Sequence, residues 1–495
     1  MGKGGNASAV AGNNKKHSKG PVYDNAATTV TEGRKICWDE VQQHRDTDDA
    51  WVVYQNKVYD ISRWYEHPGG MVIFTHAGDD MTDIFSAFHA PGSSKMISQF
   101  YIGDLIHSPK DTKQMAFEKG YRDLRLQLIN MGMFKSNTAF YAYKCISNQC
   151  LWALSIAMVY YFPQNVFMHI GSAILMGLFF QQCGWLAHDY LHHQVCKGNR
   201  RLGDYYGIYW GNVMQGYSVQ WWKNKHNGHH AVPNLHNSTA TSQDGDPDID
   251  TMPLLAWSLQ QARSYRELSK NGTTDTPFVK FMIRHQAYFY FPILLLARLS
   301  WLNESFKMAF HLGAASENAA LEMKVRGLQY PLLEKGGIIL HYLWVAVLSS
   351  GFGQWSIPYS IAYFLLMTCS CGFMLALVFG LGHNGMAVYD ADKRPDFWKL
   401  QVTTTRNIIG GHGIPQSFVD WFCGGLQYQV DHHLFPSLPR HNLKKSHELV
   451  KSFCKEWNVQ YHEADLVDGT IEVLKHLANV SDEFVVDFVL DGPTM

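Results

Sequence analysis

The chain has 495 residues, of which 25 are His, with 14% aromatic and 17% charged side chains. Its 42 Lys and Arg balance 43 Asp and Glu to a formal net charge of -1, and the basic residues are dispersed, which excludes the basic face that a nucleic-acid partner needs. The 9 Cys contain no CxxC spacing, so they read as reduced packing residues of a cytosol-facing protein, two of them (Cys369 and Cys371) inside an apolar run.

Residues 1–33 are rich in Gly, Asn, Ala and Thr and lack the apolar core of a secretory signal, which predicts a disordered cytosolic tail. Asn6 stands where a myristoylation motif wants Ser or Thr, which argues against that modification of Gly2. Residues 34–105 read as a small α+β domain. Ala50–Tyr54 and Lys57–Ile61 are expected strands around a Gln55-Asn56 turn. His67-Pro68-Gly69-Gly70 follows; the proline fixes the turn, and the glycines let a flat macrocycle approach beside an imidazole. This stretch resembles cytochrome b5, which implies haem b held by His67 and by His89 in Ile84–His89. His76 is a rival, but it lies close to His67 for reaching the opposite haem face. Two axial imidazoles leave no open position on the iron, so such a haem moves electrons. Residues 106–140 read as a polar linker, to about Lys119, and an amphipathic helix around Phe117–Met131.

Residues 141–470 form the expected all-α membrane body. Apolar segments at about 145–162, 166–187, 336–352 and 356–381 predict four transmembrane helices in two hairpins, given the ~20 residues a bilayer core requires. The hairpin turns lack Lys and Arg. Lys197, Arg200, Arg201, Lys223, Lys225, Lys393 and Arg394 lie in the other connections, so the positive-inside bias puts those and both termini in the cytosol. Tyr288–Leu302, interrupted by Pro292 and Arg298, is expected to lie in the interface, since a crossing there would separate the later histidines from the earlier ones. The sequons Asn237-Ser238-Thr239 and Asn271-Gly272-Thr273 are then expected to be unglycosylated. Residues 471–495 read as a C-terminal tail.

Histidines recur at the predicted cytosolic face. His188 and His192 are one helical turn apart, with His193 adjacent; His226, His229 and His230 have HxxHH spacing on one helix face; His383 ends the last span; and Gln429, His432 and His433 follow a Gly-Gly. Imidazole-rich, thiol-poor donors suit iron, zinc or copper, with Asp189 and Asp431 available to orient the rings, and the number of histidines calls for two metals. The acidic run Asp244–Asp250 reads as a solvated loop, because Pro247 and a missing glutamate spoil a calcium loop. Trp221, Trp222 and Phe379 read equally as walls of an apolar tunnel or as membrane-interface anchors.

HxxxH, HxxHH and QxxHH motifs behind a cytochrome b5-like domain resemble the front-end membrane fatty-acid desaturases. The strings Gln182–Ala187 and His226–His236 look close to microalgal delta-6 desaturases, those of diatoms in particular. The resemblance implies two irons on His188, His192 or His193, His226, His229, His230, His432 and His433. It places Gln429 where other desaturases have a histidine, and His383 at an extra ligand position. It further implies O2, a fatty acyl chain, membrane lipid and an NADH-cytochrome b5 reductase as partners, in the endoplasmic reticulum membrane. An unactivated methylene has no acidic proton, so acid–base groups cannot serve and redox chemistry must. Readings that share these features are a delta-5 or delta-8 acyl or sphingoid-base desaturase. From another class, a membrane metal-binding or transport protein would use the histidines to pass zinc.

Overall fold

The computed structural model describes residues 34–89, 92–237, 245–268, 276–312, 327–390 and 393–486. The expected tail 1–33, Ser238 and Thr239 of one sequon and all of the other lie outside them.

The first domain is a six-stranded sheet formed by β1 (Arg34–Ile36), β2 (Arg45–Asp46), β3 (Asp49–Tyr54), β4 (Lys57–Asp60), β5 (Asp79–Asp80) and β6 (Tyr101–Leu105). The strand order is β1-β6-β4-β3-β2, with β5 beside β3. The antiparallel β3–β4 pair closes through Gln55 and Asn56, both at positive φ, which is the turn geometry a two-residue hairpin demands. Helix α1 (Thr82–Phe88) leads directly into His89. Thr112–Asn130 forms α2, so the connection is shorter than the polar composition up to Lys119 suggests. Asp111 caps α2 by accepting from the Gln114 amide.

The second domain is helical. Helices α3 (Thr138–Tyr161) and α4 (Val166–Leu191) start at Asn137 and Asn165, whose side chains accept backbone amides of the first turn. Such caps contribute about 1 kcal/mol each and fix where the hairpin turns. Helix α5 (Val219–Ala231) follows, then α6 (Gln286–Phe310), α7 (Pro331–Ser349) and α8 (Ile357–His383). Among the described residues, three helices are long and apolar enough to cross a membrane: α4, α7 and α8. The 26 residues of α4 reach ~39 Å, beyond the thickness of a hydrocarbon core. Helix α3 is long enough but carries Lys144, Asn148 and Gln149, and it falls outside that set.

Close backbone approach holds the bundle. A Cβ on Gly177 would lie 2.8 Å from the Cys371 amide, and one on Gly372 would lie 2.6 Å from the Leu295 carbonyl, so α8 is gripped by α4 and α6 through glycine. Helix α6 has one packed face, with Gln286, Tyr290, Leu294, Arg298 and Leu302 buried, and an apolar exposed face that includes Tyr288, Leu295 and Leu296. Arg298, which interrupts the segment in sequence, is buried. Its guanidinium donates to the Gln215 carbonyl at 2.7 Å and to Thr368 Oγ1 at 3.2 Å, and lies 3.8 Å from the Phe180 ring centroid.

The chain ends in α9 (Phe397–Thr403), the short α10 (Gln429–Leu434), α11 (Arg440–Glu456) and α12 (Leu466–Val485). The segment from residue 471, expected as a C-terminal tail, continues α12 as far as Val485. Gly469, Val473, Leu477, Val480 and Phe484 form a buried stripe that docks α12 against the body. The nine cysteines are all free.

Candidate metal centre and haem site

Each imidazole at the centre is aimed by the element that carries it. His188 lies in the last turn of α4 and His192 caps its end; α5 presents His226, His229 and His230 on its inner side; His383 ends α8; and α10 supplies Gln429, His432 and His433. The donor atoms converge into two groups. His188, His192, His226, His230 and His432 form one, and His229, His383 and His433 the other, with the ligating atoms of each within 4.8 Å of one another. Nε2 atoms approach at 3.0 Å between His188 and His432, 2.9 Å between His192 and His226, and 3.2 Å between His229 and His383. Two imidazole nitrogens bound at right angles to one ion, each about 2.1 Å from it, lie about 3 Å apart, so the spacing fits shared metals. The groups abut, since the His230 and His433 rings stack at 4.2 Å.

Gln429 joins the second group, with its amide 2.7 Å from His383 Nε2. Its Oε1 and the Nε2 of His433 are buried without hydrogen-bond partners, as groups waiting on an ion must be. Burial pushes the pKa of His432 down to about 3 and holds His192, His226, His230 and His433 well below the usual range, leaving neutral rings able to ligate. At His229 burial also acts downward, but Asp246 and Asp248 outweigh it and raise the pKa.

The structure places three groups differently from the sequence reading. His193, adjacent to His192, stands at φ 55° where the chain turns at the end of α4, and its ring lies outside the two clusters. The acidic run is not simply a solvated loop: Asp246 is buried, accepting from His229 Nδ1 at 2.9 Å and from the Asn234 amide at 2.8 Å. It orients a ligand ring. Asp431 contacts no ring of the cage; its carboxylate accepts from Asn407 Nδ2 at 3.1 Å and from the Tyr461 hydroxyl at 3.2 Å. Asp189 lies 3.4 Å from His188 Nδ1, while its other oxygen is taken by Arg440.

The sequence did not flag the other orienting groups. Gln401 of α9 accepts from His433 Nδ1 at 2.8 Å, and the Thr404 carbonyl lies 3.2 Å from His383 Nδ1. Trp222 stacks on His226 at 4.3 Å, and Trp221 and Phe379 both pack on Trp301. Both tryptophans are buried in the core, which removes the reading of membrane-interface anchors.

In the first domain the rings of His67 and His89 face one another with centroids 6.1 Å apart. Two metal–imidazole bonds of roughly 2 Å each plus two half-rings span such a gap. The Nδ1 of His67 lies 3.1 Å from the Gly70 carbonyl and that of His89 lies 3.0 Å from the Phe85 carbonyl, which turns both Nε2 atoms inward. A Cβ on Gly69 would come within 2.7 Å of the His67 ring, so glycine is required there. His76 is buried and bonded to Thr75 at 3.0 Å, apart from this pair.

The domains are docked. Arg122 of α2 donates to both Asp83 oxygens, at 2.7 and 3.0 Å, Arg125 donates to the Ser86 carbonyl, and Arg394 pairs with Asp79. Ala231, the last residue of α5, and Val232 and Leu235 beyond it join Phe74, Met81 and Ile84 in one apolar cluster. The Phe88 ring meets the His230 ring edge-on at 6.0 Å.

Comparison with known proteins agrees with both sites. Residues 165–465 match the family described as fatty acid desaturase, and residues 37–106 match the cytochrome b5-like haem/steroid binding domain. An acyl-lipid (9-3)-desaturase of Physcomitrium patens is 38% identical over 90% of this chain and 78% of its own. A delta(6)-fatty-acid desaturase of Caenorhabditis elegans is 34% identical over 84% of this chain and 92% of its own, and a delta(8)-fatty-acid desaturase of Helianthus annuus is 29% identical over 91% and 92%. Haem fits the His67–His89 pair, and two irons fit the paired histidine groups. The chain belongs to the fatty acid desaturase family, as a front-end desaturase with an N-terminal cytochrome b5-like domain.

Proposed function

We propose that this chain inserts a cis double bond at carbon 6 of C18 polyunsaturated acyl chains, a step of long-chain polyunsaturated fatty acid biosynthesis. The observation that carries the reading is the pair of neighbouring histidine groups with a haem domain docked against one of them. In this reading His188, His192, His226, His230 and His432 hold one iron, and His229, His383, His433 and Gln429 hold the other. His67 and His89 hold the haem. Bound, the irons supply oxygen activation and removal of hydrogen from adjacent carbons, and the haem supplies electrons singly. The protein aims the rings through Asp246, Gln401 and Thr404, and walls the first iron site with Trp222.

Carbon 6 rests on the delta(6)-fatty-acid desaturase among the relatives and on the likeness of Gln182–Ala187 and His226–His236 to microalgal enzymes. The delta(8)-fatty-acid desaturases of Helianthus annuus and Euglena gracilis support a second reading, desaturation at carbon 8. The proposed setting is the endoplasmic reticulum membrane, with α3 as a fourth span, α6 in the interface, and termini and metals on the cytosolic side. There an NADH-cytochrome b5 reductase feeds the haem. Expression in a host without polyunsaturated products, feeding of defined acids and mass-spectrometric location of the new double bond test this. A carbon-6 product from C18 chains is expected. A double bond at carbon 5 or 8 overturns the regiochemistry, and metal analysis giving zinc with no product overturns the enzyme.

A further inference from the structure

We propose that Phe88 is the bridge by which electrons pass from the haem domain to the metal centre. Phe88 closes α1 and is bonded in the chain to His89, while its ring lies edge-on against His230 with centroids 6.0 Å apart and planes at 83°. Electron tunnelling weakens far less through covalent bonds and packed rings than across gaps. The route runs from the His89 ring through its own backbone to Phe88, then across one van der Waals contact to His230. Its balance is simple: a reduced haem loses one electron, the metal pair gains one, and two such transfers serve each O2.

The surrounding architecture fixes this contact. Phe85, one turn back on α1, stacks on His89 at 4.2 Å. Arg122 clamps Asp83 on the same helix, and Arg125 holds the Ser86 carbonyl at 2.7 Å, so α1 is held to α2 at two points one turn apart. Gln401 donates to the His230 carbonyl at 3.0 Å and anchors the other side. Among the described residues, His230 is the one first-group imidazole in ring contact with the haem domain. Phe88 is a positioning residue, since it touches the ligands on both sides and neither iron.

The inference rests on the desaturase reading above, and full-length chain loaded with haem and iron tests it. The haem is reduced chemically, O2 and acyl substrate are added, and haem re-oxidation is followed by stopped-flow absorbance. Phe88→Leu is expected to slow re-oxidation roughly tenfold to a hundredfold, the scale on which residues behind a metal ligand act, with haem spectrum, potential and iron content unchanged. Phe88→Tyr keeps an aromatic ring and is expected to restore the rate. A leucine variant at the wild-type rate overturns the bridge, and so does equal loss in both variants, because contact shape and not the ring would then matter. A wild-type haem that keeps its electron refutes haem-to-metal delivery itself, which separates that failure from failure of Phe88.

Discussion

His192→Ala removes a donor from a group of five buried imidazoles, while His193→Ala removes a ring that lies outside both clusters. Purified His192→Ala protein is expected to lose about half its iron and all product, and His193→Ala to keep its iron, as read by metal analysis beside a product assay. Asp246→Ala leaves the His229 ring without its acceptor, and a 10–100-fold loss in affinity for the second metal is expected in chelator titrations. At Gln429 the His variant is expected to retain some activity and the Ile variant none, with iron content falling in the latter because an apolar side chain offers no lone pair. Full activity in Gln429→Ile would show the amide to be dispensable. The ligand pattern was legible in the sequence because HxxxH and HxxHH place side chains on one helix face. The placement of His192 inside the first cluster and His193 outside it was not, since it depends on how α4 ends, and Asp246 was not, since its contact with His229 is made only once the loop folds back.

Helix α8 is held on two sides by absent side chains. Gly372→Leu would drive its side chain into the α6 backbone and Gly177→Leu into α8, so each is expected to cost about 1–3 kcal/mol or more. Gly336 on α7 has nothing within 4 Å of an added Cβ, so Gly336→Leu serves as the control. Thermal denaturation in detergent, followed by size-exclusion recovery, is expected to lower the first two and spare the third. Three leucine variants of equal stability would mean the bundle relaxes freely. Apolar length announced α4, α7 and α8 in the sequence. It did not announce α12, although Val473, Leu477, Val480 and Phe484 recur at helical spacing, because the acidic residues Asp482 and Glu483 give the segment a polar look. Nor could it give the role of Arg298, whose partners come from the 215 turn, from α8 and from His341 of α7.

At the scale of the whole chain, the fusion matters because the haem domain arrives already seated. Its interface combines the apolar cluster around Val232 with the Arg122–Asp83 and Arg394–Asp79 pairs. Arg122→Ala strands a buried carboxylate; because the arginine is itself 44% exposed, the loss in docking is about 1 kcal/mol rather than the several expected of a dry pair. Docking therefore survives single substitutions and depends on tethering, which holds a partner at an effective concentration in the millimolar range. His67→Ala removes an axial ligand and leaves the apolar and charged contacts intact, so the crippled domain keeps its seat. Micromolar free cytochrome b5 is then expected not to restore product, although iron content is normal. A chain lacking residues 34–105 exposes the seat, and the same free protein is expected to restore product in proportion to its concentration. Rescue of His67→Ala at micromolar cytochrome b5 would mean that the seated domain exchanges freely, and that the tether raises the encounter rate without fixing the path.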